Sequence, residues 1–373
     1  MNILFLIYHG LDSASGISKK IIAQVEGLRQ NGNNVHLCTY DVREDGHRCR
    51  FVDGDVISDF GSGKLAALRK RCSYANVYRY CVEHDIQAVY VRSFHNANPW
   101  TIRLFRRLRK AGIKSVMEIP TYPYDDEYKG FPLKERLELK MDQIFRHRLA
   151  AQMSGIVTFS DVDPIFGTRS IKIGNGIDFD AIPLRNPIRH TDNELHLLGV
   201  AEVHYWHAYD RMIKGIAEYY AKNPTPNVKV IFHIVGGVCD EDLVPWTAFI
   251  KKQHIEPYVV FHGRQSGDAL SHSFDIADFA IGSLGRHRSG IDKIKTLKNR
   301  EYAARGMSFI YSETDEDFEH QPYVLKAPAD ESPISVESII EFHGSQYMTP
   351  EAIRESVKSC SWKEQMRIVM SAL

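Results

Sequence analysis

The chain has 373 residues, 43% hydrophobic and 25% charged, with 47 Lys plus Arg balanced by 47 Asp plus Glu. At roughly 150 residues per domain this length predicts two domains or three, and the composition excludes a disordered chain, a collagen-like fibre and a disulfide miniprotein. A formal charge of zero argues against a dedicated nucleic-acid binder, which carries a basic excess. Cys38, Cys49, Cys72, Cys81, Cys239 and Cys360 are scattered, with no CxxC pair, a usage that predicts reduced thiols in a cytosol. No run approaches the ~18 consecutive apolar residues of a transmembrane helix. Met1 to Ile7 has no basic leader and is broken by Tyr8-His9-Gly10, so it reads as a strand and not as a signal peptide.

From the amino terminus, Asn2-Ile3-Leu4-Phe5-Leu6-Ile7 is a continuous apolar run, the pattern of a central parallel strand buried on both faces. The loop His9 to Gly16 leads into helical spacing from Ile17 to Arg29, closed by Gly32, and Asn34 to Cys38 reads as the next strand. Strand, Gly-containing loop, helix, strand is a βαβ unit. The alternation continues with a strand at Ala88 to Val91, a helix at Pro99 to Ala111, a strand at Lys114 to Glu118, a helix at Leu133 to Ala151 and a strand at Gly155 to Phe159. Gly174 to Asn193, with Pro183 and Pro187, reads as a linker. Beyond it come a strand at Leu195 to Val200, a helix at Arg211 to Tyr220, strands at Val228 to Val235, Val259 to His262 and Phe279 to Gly282, a helix around Leu297 to Arg305 and a strand at Ser308 to Tyr311. The expected architecture is two doubly wound α/β domains. Residues 1–180 form the first, 181–349 the second, and a final helix within 350–373, anchored by Trp362, crosses back to the first. Such sheets bind ligands beyond the carboxyl ends of their strands.

Several segments carry candidate chemistry, each beside a plainer reading. Thr296 is placed as an N-cap and Gly306 as the residue past the helix end. Between them Lys298 and Glu301 share a face, so a carboxylate can accept two ribose hydroxyls beside a cation that meets a diphosphate; the same spacing is also that of a surface ion pair. Trp206-His207-Ala208-Tyr209-Asp210-Arg211, followed by Lys214, opens a helix after a strand, where free N–H groups and two cations suit a diphosphate; a solvated helix start has the same composition. Gly16 allows close backbone approach to a ligand, or is a turn. The loop from Gly285 to Ile291, with Arg286, Arg288 and Gly290, suits a sugar-phosphate contact or solvent equally. The prolines in Glu118-Ile119-Pro120-Thr121-Tyr122-Pro123-Tyr124 fix the backbone around Glu118, with Asp125, Asp126 and Glu127 next. His95 stands on a loop after a strand. Arg103, Arg106, Arg107 and Lys110 form one basic stripe, the pattern of a helix at an anionic membrane or of an ordinary solvated face. HExxH, GxSxG, GxGxxG and Cys/His zinc spacings are missing.

In this order the segments resemble a bacterial family 4-type glycosyltransferase of the GT-B fold, in a subgroup common in surface-polysaccharide loci, over nearly the whole chain. The resemblance rests on the loop ending in Gly16-Ile17-Ser18-Lys19-Lys20, on Tyr90-Val91-Arg92 and the Glu118 segment, and on Asn175-Gly176-Ile177-Asp178, similar to an interdomain NGID. It rests also on Trp206 to Arg211, similar to WHGYDR with Ala208 in place of Gly, and on Leu297-Lys298-Asn299-Arg300-Glu301-Tyr302 with Gly306, similar to LKxREYxAxG.

The resemblance implies retaining, metal-independent transfer of a sugar from a nucleotide donor, with a UDP or GDP base expected, to a saccharide or lipid-linked saccharide in capsule, exopolysaccharide or O-antigen assembly. It implies no separate cofactor, because the nucleotide-sugar is the donor substrate. Glu301 falls where the family contacts the donor ribose, Arg211 and Lys214 where cations meet the diphosphate, and Gly16 where a loop approaches it. Lys298 joins this donor set, and the loop holding Gly290 falls where the sugar is read. The leaving phosphate helps to deprotonate the acceptor, so no protein nucleophile is required. Glu118 and His95 are the candidates for the active-site residue of the first domain. A cytoplasmic protein is implied, with peripheral inner-membrane contact through the basic stripe and no nucleic-acid partner. One departure stands out: the wider family has a glutamate where this chain has Lys293. That motivates an alternative, a catalytically degenerate nucleotide-sugar-binding protein; a dinucleotide-dependent oxidoreductase is a third reading.

Overall fold

The computed structural model describes residues 1–12, 15–93, 95, 97–125, 132–188 and 193–373. Asp126 and Glu127, Ser13 and Ala14 of the first loop, and part of the expected linker lie outside these residues. The chain divides into two compact units, residues 1–176 with 361–373, and residues 177–360. The division falls inside the Asn175-Gly176-Ile177-Asp178 motif.

The first unit runs β1 (Asn2–Leu6), α1 (Gly16–Gln30), β2 (Asn34–Val42), β3 (Arg48–Val52), β4 (Asp55–Asp59), α2 (Gly63–Cys72), α3 (Ala75–Glu83), β5 (Ala88–Arg92), α4 (Pro99–Lys110), β6 (Lys114–Ile119), α5 (Leu133–Ala150), β7 (Gly155–Thr158) and β8 (Ser170–Lys172). Its sheet has the order β4-β3-β2-β1-β5-β6-β7-β8. Six strands are parallel; β3 and β4 extend the β2 edge as an antiparallel hairpin. The apolar run of β1 explains itself here. Ile3 and Phe5 face a core built with Ile21, Val25 and Leu28 of α1, while Leu4 and Leu6 face the opposite core with Leu104, Phe105 and Leu108 of α4. Burial on both faces leaves no polar position from Ile3 to Leu6, each such side chain contributing ~1.5–3 kcal/mol.

The second unit contains β9 (Glu194–Val200), α6 (Tyr209–Lys222), β10 (Lys229–Val235), α7 (Asp240–Lys252), β11 (Val259–Gly263), α8 (Gly267–Asp275), β12 (Phe279–Ile281), α9 (Leu297–Ala304), β13 (Ser308–Tyr311), β14 (Val324–Lys326), α10 (Val336–Ser345) and α11 (Pro350–Ser356). All its strands pair in parallel, in the order β11-β10-β9-β12-β13-β14. That is the doubly wound dinucleotide-fold order, in which the first strand is central and successive strands are added first on one side and then on the other.

The last helix, α12 (Trp362–Ser371), returns to the first unit, whereas α11 stays with the second. Trp362 is 5% exposed and sits in the α1 core with Met366 and Val369. A β-carbon on Gly176 would lie 2.3 Å from the Trp362 ring, so the glycine of that motif is demanded by the indole. Among the described residues no helix is long and apolar enough to cross a membrane, and the six cysteines are free thiols.

Candidate functional site

Each sheet reverses its strand order at one place, between β1 and β5 in the first unit and between β9 and β12 in the second. The loops leaving the two strands diverge there and open a crevice at their carboxyl ends. In both units the candidate chemistry gathers at that point.

In the second unit the chain leaves β9 through a 3-10 turn, Tyr205–His207, and enters α6 through Ala208. Ala208 has φ 49° and ψ 42°. This is left-handed backbone that costs a β-carbon ~1 kcal/mol, and it explains why glycine suits the position. The loop after β12 is laced to this turn, Leu284 N donating to His207 O at 3.0 Å and Gly285 N to Trp206 O at 3.2 Å. Gly290 closes the loop's own 3-10 turn with φ 67°.

Around these loops lies a set of polar groups, several of which find no partner among the described residues. Glu313, two residues past β13, is 2% exposed, and among the described residues neither carboxylate oxygen has a hydrogen-bond partner. Burial pushes its carboxyl up to about 7, against the opposing pull of Arg286 and Lys298. Arg286 packs its guanidinium 5.4 Å from the Trp206 ring, and its Nε is buried without a partner. Lys298, in the first turn of α9, donates to Tyr209 OH at 3.1 Å; burial draws its ammonium down to about 7. His207 Nδ1 accepts the His204 amide at 2.9 Å, so the ring proton sits on Nε2. Burial, reinforced by Lys298 and Arg286, lowers His207 to about 2, which keeps it a neutral donor. Ser283 Oγ and Asn299 Oδ1 are also buried and unpartnered. Folded proteins leave few buried polar atoms unpaired. Their concentration at one crevice, with two cations, marks a place for a polar, anionic ligand.

The expected donor residues divide. Glu301 lies one turn from Lys298 on α9, its Oε1 3.1 Å from Arg305 Nε, and its side chain is 32% exposed. The N-cap holds as expected, Thr296 accepting from Asn299 N. Gly290 is exposed and shapes the loop. Arg211 is corrected: it is 0% exposed, with Nε on Ser332 O at 2.7 Å, Nη2 on Pro328 O at 3.1 Å and Nη1 on Leu284 O. Its side chain is buried and ties loop carbonyls together, with Nη2 also on Asp330 Oδ1 at 3.3 Å, so its charge is spent on the protein. Lys214 is held by Asp210 at 3.0 Å, and Arg288 binds the same carboxylate at 2.9 and 3.1 Å. Among the described residues the Arg286 side chain enters no hydrogen bond or ion pair, and Lys298 donates only to the neutral Tyr209 hydroxyl. Lys293 is ion-paired to Glu316 at 2.5 Å. Sequence reasoning missed Glu313; its signal is an acidic residue just beyond a buried strand.

In the first unit Glu118 is also corrected. It is 0% exposed and takes Tyr90 OH at 2.6 Å and Gln24 Nε2 at 2.7 Å, with Arg92, its register partner on β5, on the other oxygen. On β6 it faces the core under α1, where it is a structural anchor and not a base open to substrate. His95 has φ 48° and stacks on Tyr124 with ring centroids 3.9 Å apart; burial lowers its pKa. It borders a cavity of about 290 Å³ together with Tyr8 after β1 and Trp100 of α4. Gly16 is exposed at the first turn of α1, and beyond its chain neighbours no atom of the described residues lies within 4 Å of where a β-carbon would stand. Neighbours therefore do not demand glycine there. Arg103, Arg106, Arg107 and Lys110 are exposed, and the apolar face of α4 is buried in the core. Among the described residues no cluster of His, Cys, Asp and Glu is arranged to hold a metal ion.

No family model and no curated protein matches the sequence. Solved structures match the fold over nearly the full length. Sucrose-phosphate synthase from Thermosynechococcus elongatus aligns with TM-score 0.57 and 13% identity, covering 99% of this chain and 97% of that one. HepE from Anabaena, in complex with UDP, aligns with TM-score 0.57 and 13% identity over 100% of both chains. The lipopolysaccharide outer core galactosyltransferase WaaB aligns with TM-score 0.56 and 12% identity, covering 100% of this chain and 99% of that one. The chain thus has the GT-B fold, an α/β architecture of two Rossmann-like domains.

Proposed function

We propose that the chain is a glycosyltransferase that moves a sugar from a nucleotide-sugar to a saccharide acceptor. The observation that carries this reading is the unsatisfied group at the second unit's switch point: Glu313 without a partner, beside Arg286, Lys298 and the neutral donor His207. Arg286 and Lys298 neutralise the diphosphate, so the leaving group departs with its charge met. Glu301 binds the ribose. Glu313 accepts hydroxyls of the transferred sugar and supplies from the end of β13 the carboxylate that position 293 lacks. In the step, the bond from the anomeric carbon to the donor phosphate oxygen breaks and a bond to the acceptor oxygen forms. The acceptor proton passes to the departing phosphate, and the anomeric configuration is retained. The acceptor is a growing, lipid-linked saccharide of the kind used in surface-polysaccharide assembly. With the apolar face of α4 spent on the core, any contact of its basic stripe with an anionic bilayer is electrostatic.

Thermal melting of wild type and Glu301→Ala with UDP, GDP, ADP, CMP and NAD tests this reading. A ligand at a hundredfold over its dissociation constant adds about 2.7 kcal/mol, a rise of roughly 5–10 °C for units of this size. The expected result is a rise with one nucleoside diphosphate that Glu301→Ala loses. Indifference to every diphosphate would refute the donor site, and a rise with NAD alone would favour an oxidoreductase. The ion-paired Lys293 favours, as a second reading, a protein that binds nucleotide-sugar without turnover; donor hydrolysis or transfer excludes it.

A further inference from the structure

The switch-point cavity of the first unit has a chemistry of its own. It measures about 290 Å³ and is lined by aromatic faces together with Arg50, Lys70, Arg71 and Glu138. A second cavity of about 330 Å³ adjoins it, sharing Cys72, Tyr74 and Trp100, and adds Arg69, Arg103 and Arg107. The positions follow from local sequence. Asn98 caps α4, accepting from Trp100 N at 2.9 Å and Thr101 N at 3.0 Å, with Pro99 in the first turn. This stands Trp100, 44% exposed, between the two cavities.

Charge is strongly unbalanced. Six cations line the two cavities against one carboxylate, Glu138, and that carboxylate is already paired with Arg71 at 2.6 Å. Arg50 is spent on Ser73 O and Lys70 O, at 2.8 and 3.2 Å, and Arg107 stacks on Tyr78 at 3.9 Å. The side chains of Arg69, Lys70 and Arg103 enter no hydrogen bond or ion pair among the described residues. Lys70 instead lies 3.6 Å over the Tyr40 ring. Burial draws it down to about 8, helped by Arg71, Arg48 and Arg50. Such a cluster is repulsive when empty and is relieved by an anion. Aromatic faces beside it fit the apolar side of a sugar ring.

We propose that these joined cavities bind a saccharide carrying an anionic group, its ring against Trp100 and Tyr74 and its charge on Lys70, Arg69 and Arg103. This rests on the transferase reading and deepens it, naming the acceptor as an acidic glycan. A carboxylate on the ring and a phosphate at the reducing end share this chemistry.

The test is calorimetric titration of the full chain, without donor, with methyl glucuronide, glucose 1-phosphate and neutral methyl glucoside. At least one acidic ligand is expected to bind about tenfold or more tightly than the neutral one, and which one does so identifies the anion. The preference should weaken with salt and between pH 7 and 9, as Lys70 loses its proton, and should vanish in Lys70→Gln. Should that variant fail to fold, Arg103→Gln, on the exposed face of α4, carries the test with a partial loss. Equal binding of acidic and neutral ligands, no binding of either, or a preference that survives both substitutions would overturn the proposal. The nucleotide melting response of wild type and Lys70→Gln separates the two readings. A lost UDP or GDP response in wild type counts against the transferase, whereas a lost acid preference with that response intact counts only against the acidic acceptor.

Discussion

Replacing Glu313 with Gln separates a ligand-binding carboxylate from a structural one, because the two roles move stability in opposite directions. Glu313 ionises near 7 in the folded protein and near its ordinary value of ~4.3 when unfolded. The folded state therefore holds the proton more tightly, and stability falls as pH rises from about 4 to about 7. Above pH 7 the full cost remains, on the order of 3 kcal/mol at 1.36 kcal/mol per pKa unit. Glutamine keeps the shape and removes the charge. It also takes away an attraction to Lys298 and Arg286, which already lowers the net cost, so a gain of about 1–3 kcal/mol at pH 8 is expected. For a unit of this size that is roughly 3–10 °C in Tm, shrinking toward zero at pH 4. Donor affinity should fall about tenfold or more, since an acceptor of sugar hydroxyls becomes a weaker one. The assay is thermal melting from pH 4 to 9 with and without the nucleotide-sugar that wild type binds. A glutamine variant that melts lower than wild type at pH 8 would show that Glu313 holds the fold together. One that binds donor as wild type does would show that the carboxylate faces no ligand. Either result refutes the reasoning.

Two further outcomes follow from the corrected residues. Arg211→Met should destabilise the second unit by about 3–5 kcal/mol, because three loop carbonyls lose a buried cationic partner; chemical denaturation measures it, and wild-type stability with a raised donor KM would restore Arg211 to the donor site. Trp362→Ala should cost about 3–5 kcal/mol through the cavity left against Gly176 and the α1 core. An unchanged denaturation midpoint would count against the anchoring role of α12.

Local sequence signals carried the α/β character, the alternation of elements and a change of domain expected near residue 180, whereas the units divide at Gly176. Apolar runs at β1, β5, β9 and β10 and helical spacing at α1, α4 and α6 are local signals, legible because burial on both faces of a parallel sheet favours apolar residues and admits a charged one such as Glu118 only with partners. The Thr296 cap and the shared face of Lys298 and Glu301 were legible for the same reason: a helix fixes neighbours three residues apart. The antiparallel hairpin of β3 and β4 was not, since Arg48-Cys49-Arg50-Phe51-Val52 mixes charge with apolar residues and its pairing to β2 is set by tertiary contact. The candidate site depended still more on the tertiary structure. Whether an arginine meets a ligand or a loop carbonyl depends on which way its strand or helix turns it. Packing sent Arg211 and Glu118 inward to protein partners and left Arg286 Nε and both carboxylate oxygens of Glu313 without one among the described residues, with Lys298 on the Tyr209 hydroxyl beside them. Composition and spacing name the residue types; the direction of each side chain, and therefore what remains unpaired, is decided only when the sheets close and every other donor and acceptor has found its partner.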